Sequence, residues 1–348
     1  MKFLIVGLGG IGQRHLRNLL TVLGEQAEIR AVSPRTDLPV LTDKLTVEQG
    51  ITLQEKYGLH IYPDLDSGLG WHPDAVFICT PSSMHVPQAI QAARAGAHLF
   101  IEKPLSHTLD SIEELVAEIE KRHLVAVVGY QMRFHPGLQR LRALLQEGKV
   151  GRLLAVHAEI GEYLPGWHPY EDYRKMYASQ RALGGGVILS QIHEMDYLYW
   201  LFGLPRRLFA LGGQFSRLEV DVEDTADILL EFQVEGRPLP VSLHEDYLQR
   251  PPSRSCKVVG DAGKIILDFP TASLTFYDAE GQEAEKTVFS DFQRNQMFLA
   301  EIRHFWQALH GQPHDLVSLR DGIQSLRMAL AAKESLETGS VIYLENIR

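Results

Sequence analysis

The residues that most limit how this chain can fold are Gly7-Leu8-Gly9-Gly10-Ile11-Gly12, because of what stands on either side of them. Lys2 to Val6 is a short β-rich run, and Ile11, Leu16, Leu19, Leu20 and Leu23 recur at helical spacing until Gly24. Strand, G-x-G-x-x-G and helix in direct succession form the context in which this pattern means a dinucleotide site. Gly7 makes the tight turn, Gly9 lets backbone approach a pyrophosphate, and Gly12 lets helix and strand pack closely. The helix would then present unpaired N–H groups and its positive end to the phosphates. Gly10 and Ile11 complete the expected contact set.

A second strand, Glu28 to Val32, ends in Ser33-Pro34-Arg35. Dinucleotide sites for NAD usually place an acid here to hold the ribose 2′-hydroxyl. Ser33 and Arg35 suit a 2′-phosphate instead, which favours NADP, while the nearby Asp37 keeps NAD open. Further β runs at 59–62, 74–80, 99–102 and 125–130 alternate with helical patterns at 54–57, 87–95 and 110–123. Alternation of this kind predicts a doubly wound parallel sheet over residues 1–128. Asp110 with Glu113 three residues on reads as a capping box for the last of these helices.

Leu99-Phe100-Ile101-Glu102-Lys103-Pro104 is the most informative of the strands. An apolar run ending in an acid, a lysine and a proline delivers one amine at the carboxyl edge of the sheet, where ligands of such sheets bind. Partial desolvation there makes a lysine usable for proton transfer.

Beyond residue 128 the pattern changes. Strands at 153–160, 208–214, 226–232, 240–247, 256–259 and 264–268 follow one another with few helices between them. They predict a second domain, 129–348, with an open and largely antiparallel sheet flanked by helices. Two amphipathic helices, near 292–310 and 319–336, close the chain and would pack back on the first domain. Within this half, Gly184-Gly185-Gly186 leads into a stretch carrying Ser190, Gln191, His193 and Asp196. The glycines make room for a close-lying ligand, and Ser190, His193 and Asp196 share a face if one helix carries them. Upstream, residues 163–174 mix aromatics with hydrogen-bonding groups, which suits the alternating faces of a sugar. Trp167, His168 and Tyr173 are the candidates there, with Arg133 and Arg174 as anchors for any carboxylate or nucleotide.

A formal charge of −10 argues against nucleic acid and anionic membranes as partners. Two distant cysteines, Cys79 and Cys256, exclude a disulfide framework and read as small core residues. No apolar run reaches membrane length, no metal-ligand spacing occurs, and the cytoplasm is the expected compartment.

Taken together, the glycine-rich turn, Thr80-Pro81 with His85, Glu102-Lys103-Pro104, and the glycine triplet before His193-x-x-Asp196 resemble the Gfo/Idh/MocA oxidoreductases over nearly the whole chain. The resemblance implies NAD or NADP on a Rossmann domain contacted by Thr80, Pro81, His85, Glu102, Lys103 and Gln131. It implies a sugar, amino-sugar or nucleotide-sugar substrate, with Lys103 and His193 as the acid/base pair. It also implies a homo-oligomer, dimer or tetramer, formed through the open sheet. Many members carry an aspartate where Ser190 stands. A serine cannot serve as a charged base, so Ser190 is at most a hydrogen-bond partner. Two rival readings stay open on the sequence: a non-catalytic dinucleotide-binding sensor or partner subunit, and an NAD-dependent glycosidase.

Overall fold

In the computed structural model, which describes residues 1–35 and 37–347, two sheets carry the molecule. Six parallel strands form the first: β1 (Lys2–Val6), β2 (Glu28–Val32), β3 (His60–Tyr62), β4 (Ala75–Ile78), β5 (His98–Glu102) and β6 (Ala126–Gly129). They lie in the order β3-β2-β1-β4-β5-β6, the arrangement of a dinucleotide-binding sheet. The order in which strands are added reverses at β1, so the loops after β1 and β4 part and open a crevice at their carboxyl ends. The strands are nearly continuous apolar runs because helices cover both faces; β4 is buried at all four positions.

Beneath this sheet, Phe77 and Phe100 stack at 4.7 Å, and Phe305 meets both edge-on at 5.4 and 5.6 Å. Phe305 belongs to the helix Asn295–Leu309, near the end of the chain. That helix also ties Asn295 to Asn18 and Arg14 of the first helix, Gly10–Leu23. Val317–Ser318 then adds an antiparallel edge to β6.

The second sheet has nine strands: β7 (Leu153–Gly161), β8 (Arg207–Gly213), β9 (Thr225–Val234), β10 (Arg237–Asp246), β11 (Ser253–Gly260), β12 (Gly263–Asp268), β13 (Ser273–Asp278), β14 (Glu283–Val288) and β15 (Ile342–Tyr343). Their order is β14-β13-β12-β11-β7-β10-β9-β8-β15, antiparallel throughout except for the parallel pair β7 and β10. Alternation sets the two faces. On β9, Ala226, Ile228, Leu230 and Phe232 are buried while Asp227 and Leu229 point the other way. Helices Val187–Ser190, His193–Phe202 and Leu319–Thr338 lie against the buried face.

Two local expectations are corrected. The helix expected over 110–123 spans Ile112–Arg122, and its N-cap is Ser111 in a left-handed conformation with no side-chain cap, so Asp110 and Glu113 form no capping box. A capping box does exist at Thr52 and Glu55, ahead of Leu53–Tyr57. The sequence pattern predicts no strand at β13 or β14. Glu283–Val288 is an edge strand with only acids, a lysine and small residues around one valine, so it shows no apolar alternation to detect.

On the open face of the sheet, His244 sits 2.8 Å from Asp227 and 2.9 Å from Asp246. Hydrogen bonding to Asp246, then to Asp227, raises its pKa from 6.5 to about 9. The folded state therefore holds this proton more tightly than the unfolded chain, and the stabilisation is complete below about pH 6.5 and fades through about pH 9. Solvent access at the site limits it to about 1 kcal/mol. In urea unfolding, His244→Gln should be less stable than the parent at pH 6 and indistinguishable from it near pH 10. A deficit that persists at pH 10 would show that packing, not charge, is what the imidazole contributes.

Candidate active site

The glycine-rich turn has the geometry its spacing predicts. Gly7 has φ +94°, and a Cβ there would stand 2.8 Å from the Cys79 carbonyl oxygen. A Cβ on Gly12 would lie 1.9 Å from the Gly7 oxygen, so helix and turn are in direct backbone contact. Gly9 faces open space. It caps the Gly10–Leu23 helix with no side-chain hydrogen bond, and the first turn carries no acid. The N–H groups at this helix N-terminus fit a pyrophosphate, open on the Gly9 side and met by Tyr170 on the Gly10 side. Ser33 is buried at the end of β2 and its hydroxyl accepts from the Arg35 N–H at 3.1 Å. The Arg35 guanidinium is exposed, with Asp37 as a loose partner at 3.5 Å.

Around the end of β5 the side chains are tightly tied. Glu102 is buried, with His15 Nε2 at 2.6 Å from one oxygen and the Lys103 N–H donating to the other at 3.2 Å. His15, on the first helix, went unnoticed in the sequence because a histidine three residues past the last motif glycine looks like one more helix residue. His85 ties the neighbouring loops together, its ring nitrogens lying 2.8 Å from the carbonyls of Pro104 and Thr80. It is a clip rather than an exposed contact, and burial lowers its pKa. Thr80 donates its hydroxyl to Gln88, and Pro81 leads into the turn Ser82–Met84.

The Lys103 amine crosses to the second domain and donates to the Ser190 carbonyl oxygen at 2.7 Å. Ser190 thus contributes through its backbone, while its hydroxyl is buried without a partner. Ser190 and His193 do not share one helix. The chain breaks at Gln191–Ile192, so Ser190 ends Val187–Ser190 and His193 opens His193–Phe202. Gln191 is buried and its amide donates to the Asp246 carbonyl at 3.2 Å. The Gln131 amide lies 3.0 Å from His193 Nε2, while the other ring nitrogen, Nδ1, is buried without a partner. Burial, and then the positive charges of Lys103, Arg254 and Arg294, hold the His193 pKa well below 6.5. His193 is therefore a neutral imidazole near the Lys103 amine, with one ring nitrogen unpartnered.

The two arginines expected to anchor a substrate are committed elsewhere. Arg133 forms a bidentate pair with Asp196 at 2.9 and 2.7 Å, and both are buried. Asp196 also accepts from Ser325 at 3.0 Å. Arg174 is on the surface, paired with Asp172 at 2.8 Å and Glu219 at 3.1 Å. Neither is free to meet an anion in the crevice without giving up a carboxylate. The glycine triplet also makes room for protein rather than for a ligand. A Cβ on Gly184 would meet His107 at 2.8 Å and Ser82 at 3.0 Å, one on Gly185 the Tyr177 oxygen at 2.3 Å, and one on Gly186 the Glu223 carboxylate at 2.2 Å.

The aromatic arm reaches the first domain. Trp167 lies edge-on to Tyr247 at 5.3 Å with its indole N–H buried and unpaired. His168 pairs with Glu171 at 2.7 Å and stacks on Tyr170. The Tyr173 hydroxyl accepts from the Glu219 N–H at 3.2 Å, which places it among the surface pairs of Arg174. Tyr170 extends furthest: its hydroxyl would lie 2.8 Å from a Cβ on Gly10, directly over the glycine-rich turn. Burial raises its pKa. Among the described residues, no group of three or more His, Cys, Asp or Glu side chains could hold a metal ion. No helix among them is long and apolar enough to cross a membrane.

Comparison with known proteins matches each half separately. Residues 1–130 match the oxidoreductase family described as having an NAD-binding Rossmann fold, and residues 138–266 match the GFO/IDH/MocA C-terminal domain. The myo-inositol 2-dehydrogenase of Thermotoga maritima is 26% identical, covering 100% of this chain and 99% of that one. The D-xylose 1-dehydrogenase [NADP(+)] of Haloarcula marismortui is 24% identical over 88% of this chain and 82% of that one. In structure, the WlbA dehydrogenase of Bordetella pertussis, solved with NADH and UDP-GlcNAcA, superposes with a TM-score of 0.79 at 21% identity, covering 99% of this chain and 98% of that one. With the parallel-sheet half and the antiparallel-sheet half each matched to its counterpart, the chain belongs to the Gfo/Idh/MocA oxidoreductases and carries that family's NAD-binding Rossmann domain.

Proposed function

We propose that this enzyme transfers hydride between a nicotinamide dinucleotide and a secondary alcohol of a sugar-like substrate, with Lys103 and His193 as its acid/base pair. The observation that carries the reading is the 2.7 Å bond from the Lys103 amine to Ser190, which brings the end of β5 against the turn that opens at His193. When bound, the nicotinamide supplies or accepts the hydride, and the protein provides orientation and proton handling. In the oxidising direction Lys103 takes the hydroxyl proton as the neutral amine and is left as the ammonium, and in the reducing direction the ammonium returns that proton; the Ser190 carbonyl fixes the direction of the amine. His193, kept neutral by its burial, holds or relays at the same oxygen, and Gln131 orients its ring. Gly7, Gly9, Gly10, Ile11 and Gly12 would hold the pyrophosphate, and Trp167 supplies an apolar wall for a sugar face.

Ser33 and the exposed Arg35 support NADP over NAD. The test is nicotinamide absorbance at 340 nm against a panel of cyclic polyols, pyranoses and nucleotide-linked sugars, with each cofactor. We expect turnover with at least one of them and the lower KM for NADP+. Arg35→Ala should raise that KM about tenfold, the worth of one charge-assisted bond, and leave the KM for NAD+ unchanged. Equal effects on both cofactors would remove the 2′-phosphate assignment. Self-association through the open sheet face is supported by Leu211 and Leu229, 65% and 60% exposed there.

A further inference from the structure

At the end of the second domain there is a cavity of about 290 Å³ that plays no part in the site above. Its charged lining is Arg142, Arg152 and Arg237 against a single carboxylate, Glu235, with Gln146 beside them, in a chain whose formal charge is −10. Arg152 has a partner outside the cavity, Asp261 at 3.3 Å. Arg142 and Arg237 form no ion pair among the described residues. The remaining wall is apolar and includes Trp200, Phe202 and Leu239.

Arg142 is held in place by an aromatic ring instead of an acid, its guanidinium carbon lying 4.4 Å from the Trp200 ring centroid. A cation stacked on an indole keeps its N–H fork available in the ring plane, and that fork matches a carboxylate or phosphate. Arg142 and Arg237 line one cavity without an ion pair of their own, and an anion placed there supplies the counter-charge that both lack. The apolar wall adds a second requirement, because a small inorganic ion would leave Trp200, Leu201 and Leu153, all half-buried, in contact with water.

We infer that this cavity is a binding site for a small organic anion, a carboxylate or phosphate ester on an aromatic or aliphatic body. Trp200 forms its inner wall. It is the residue two turns beyond His193 on the same helix, and Arg133 lies 5.8 Å from its ring.

Phenyl phosphate, benzoate and inorganic phosphate are suitable probes, titrated into the full-length protein by calorimetry and by tryptophan fluorescence with saturating NADPH present. Phenyl phosphate should bind one site per chain and quench the fluorescence, with inorganic phosphate at least tenfold weaker. Benzoate ranking with phenyl phosphate identifies a carboxylate site, and benzoate ranking with inorganic phosphate identifies a phosphate ester site. The double variant Arg142→Gln, Arg237→Gln should weaken phenyl phosphate at least tenfold. Trp200→Phe should abolish the quenching while the binding heat remains. Equal affinity in the double variant, quenching that survives in Trp200→Phe, or displacement of the probe by NADPH would each overturn the assignment. Equal affinity for inorganic and phenyl phosphate would overturn the organic-anion class.

Discussion

Replacing Lys103 by methionine should abolish turnover, by about a thousandfold or more, while changing the dissociation constant for NADPH by less than threefold. Methionine keeps most of the stem and removes the charge and the donor that reaches Ser190 at 2.7 Å. General acid–base groups contribute roughly 10²–10⁴ in rate, which sets the scale of the loss. The glycine-rich turn is built from backbone on another strand, so cofactor affinity has no reason to follow. Lys103→Arg is the companion variant. It restores the charge but not a titratable amine, so it should recover the contact to the second domain and not the rate. Unchanged turnover in Lys103→Met would remove the central assignment. A parallel loss of cofactor binding would instead make the lysine a structural bolt between the halves.

Arg133→Met should cost about 3–5 kcal/mol of stability, the penalty for removing one partner of a buried ion pair. Asp196 is fully buried, and burial raises its pKa while Arg133 opposes that rise. Without the arginine it keeps only the Ser325 hydroxyl and must either stay charged in a dry place or take up a proton. The measurement is the urea midpoint, followed with far-ultraviolet circular dichroism. If Arg133 were a substrate anchor, the variant would unfold like the parent and show a raised KM alone. The geometry predicts the reverse, since both guanidinium edges already face Asp196.

Much of this molecule was legible in the sequence where backbone chemistry is decisive. Gly7, Gly9 and Gly12 could be assigned roles because each role excludes a Cβ for a separate reason. The end of β5 was legible because an apolar run that stops at Glu102-Lys103 has only one place in a doubly wound sheet. Pairing between distant side chains was not. Nothing near residue 133 signals that Asp196, 63 positions on, will claim its guanidinium. The same holds for the triplet Gly184-Gly185-Gly186, whose spacing implies a tight fit without saying that His107, Tyr177 and Glu223 are what it fits. His15 and Tyr170 belong with these. Each meets its partner only after the first helix or the aromatic arm has docked.

The way Phe305 lies under β4 and β5, and Val317–Ser318 beside β6, means that the nucleotide-binding half borrows part of its core and one edge from the end of the chain. A fragment ending near residue 130 would expose the stacked faces of Phe77 and Phe100 and leave β6 as a bare rim. The two halves therefore cannot swing apart like beads on a tether. If Lys103 and His193 flank the substrate as proposed, it would rest on two walls joined by packing as well as by chain connection.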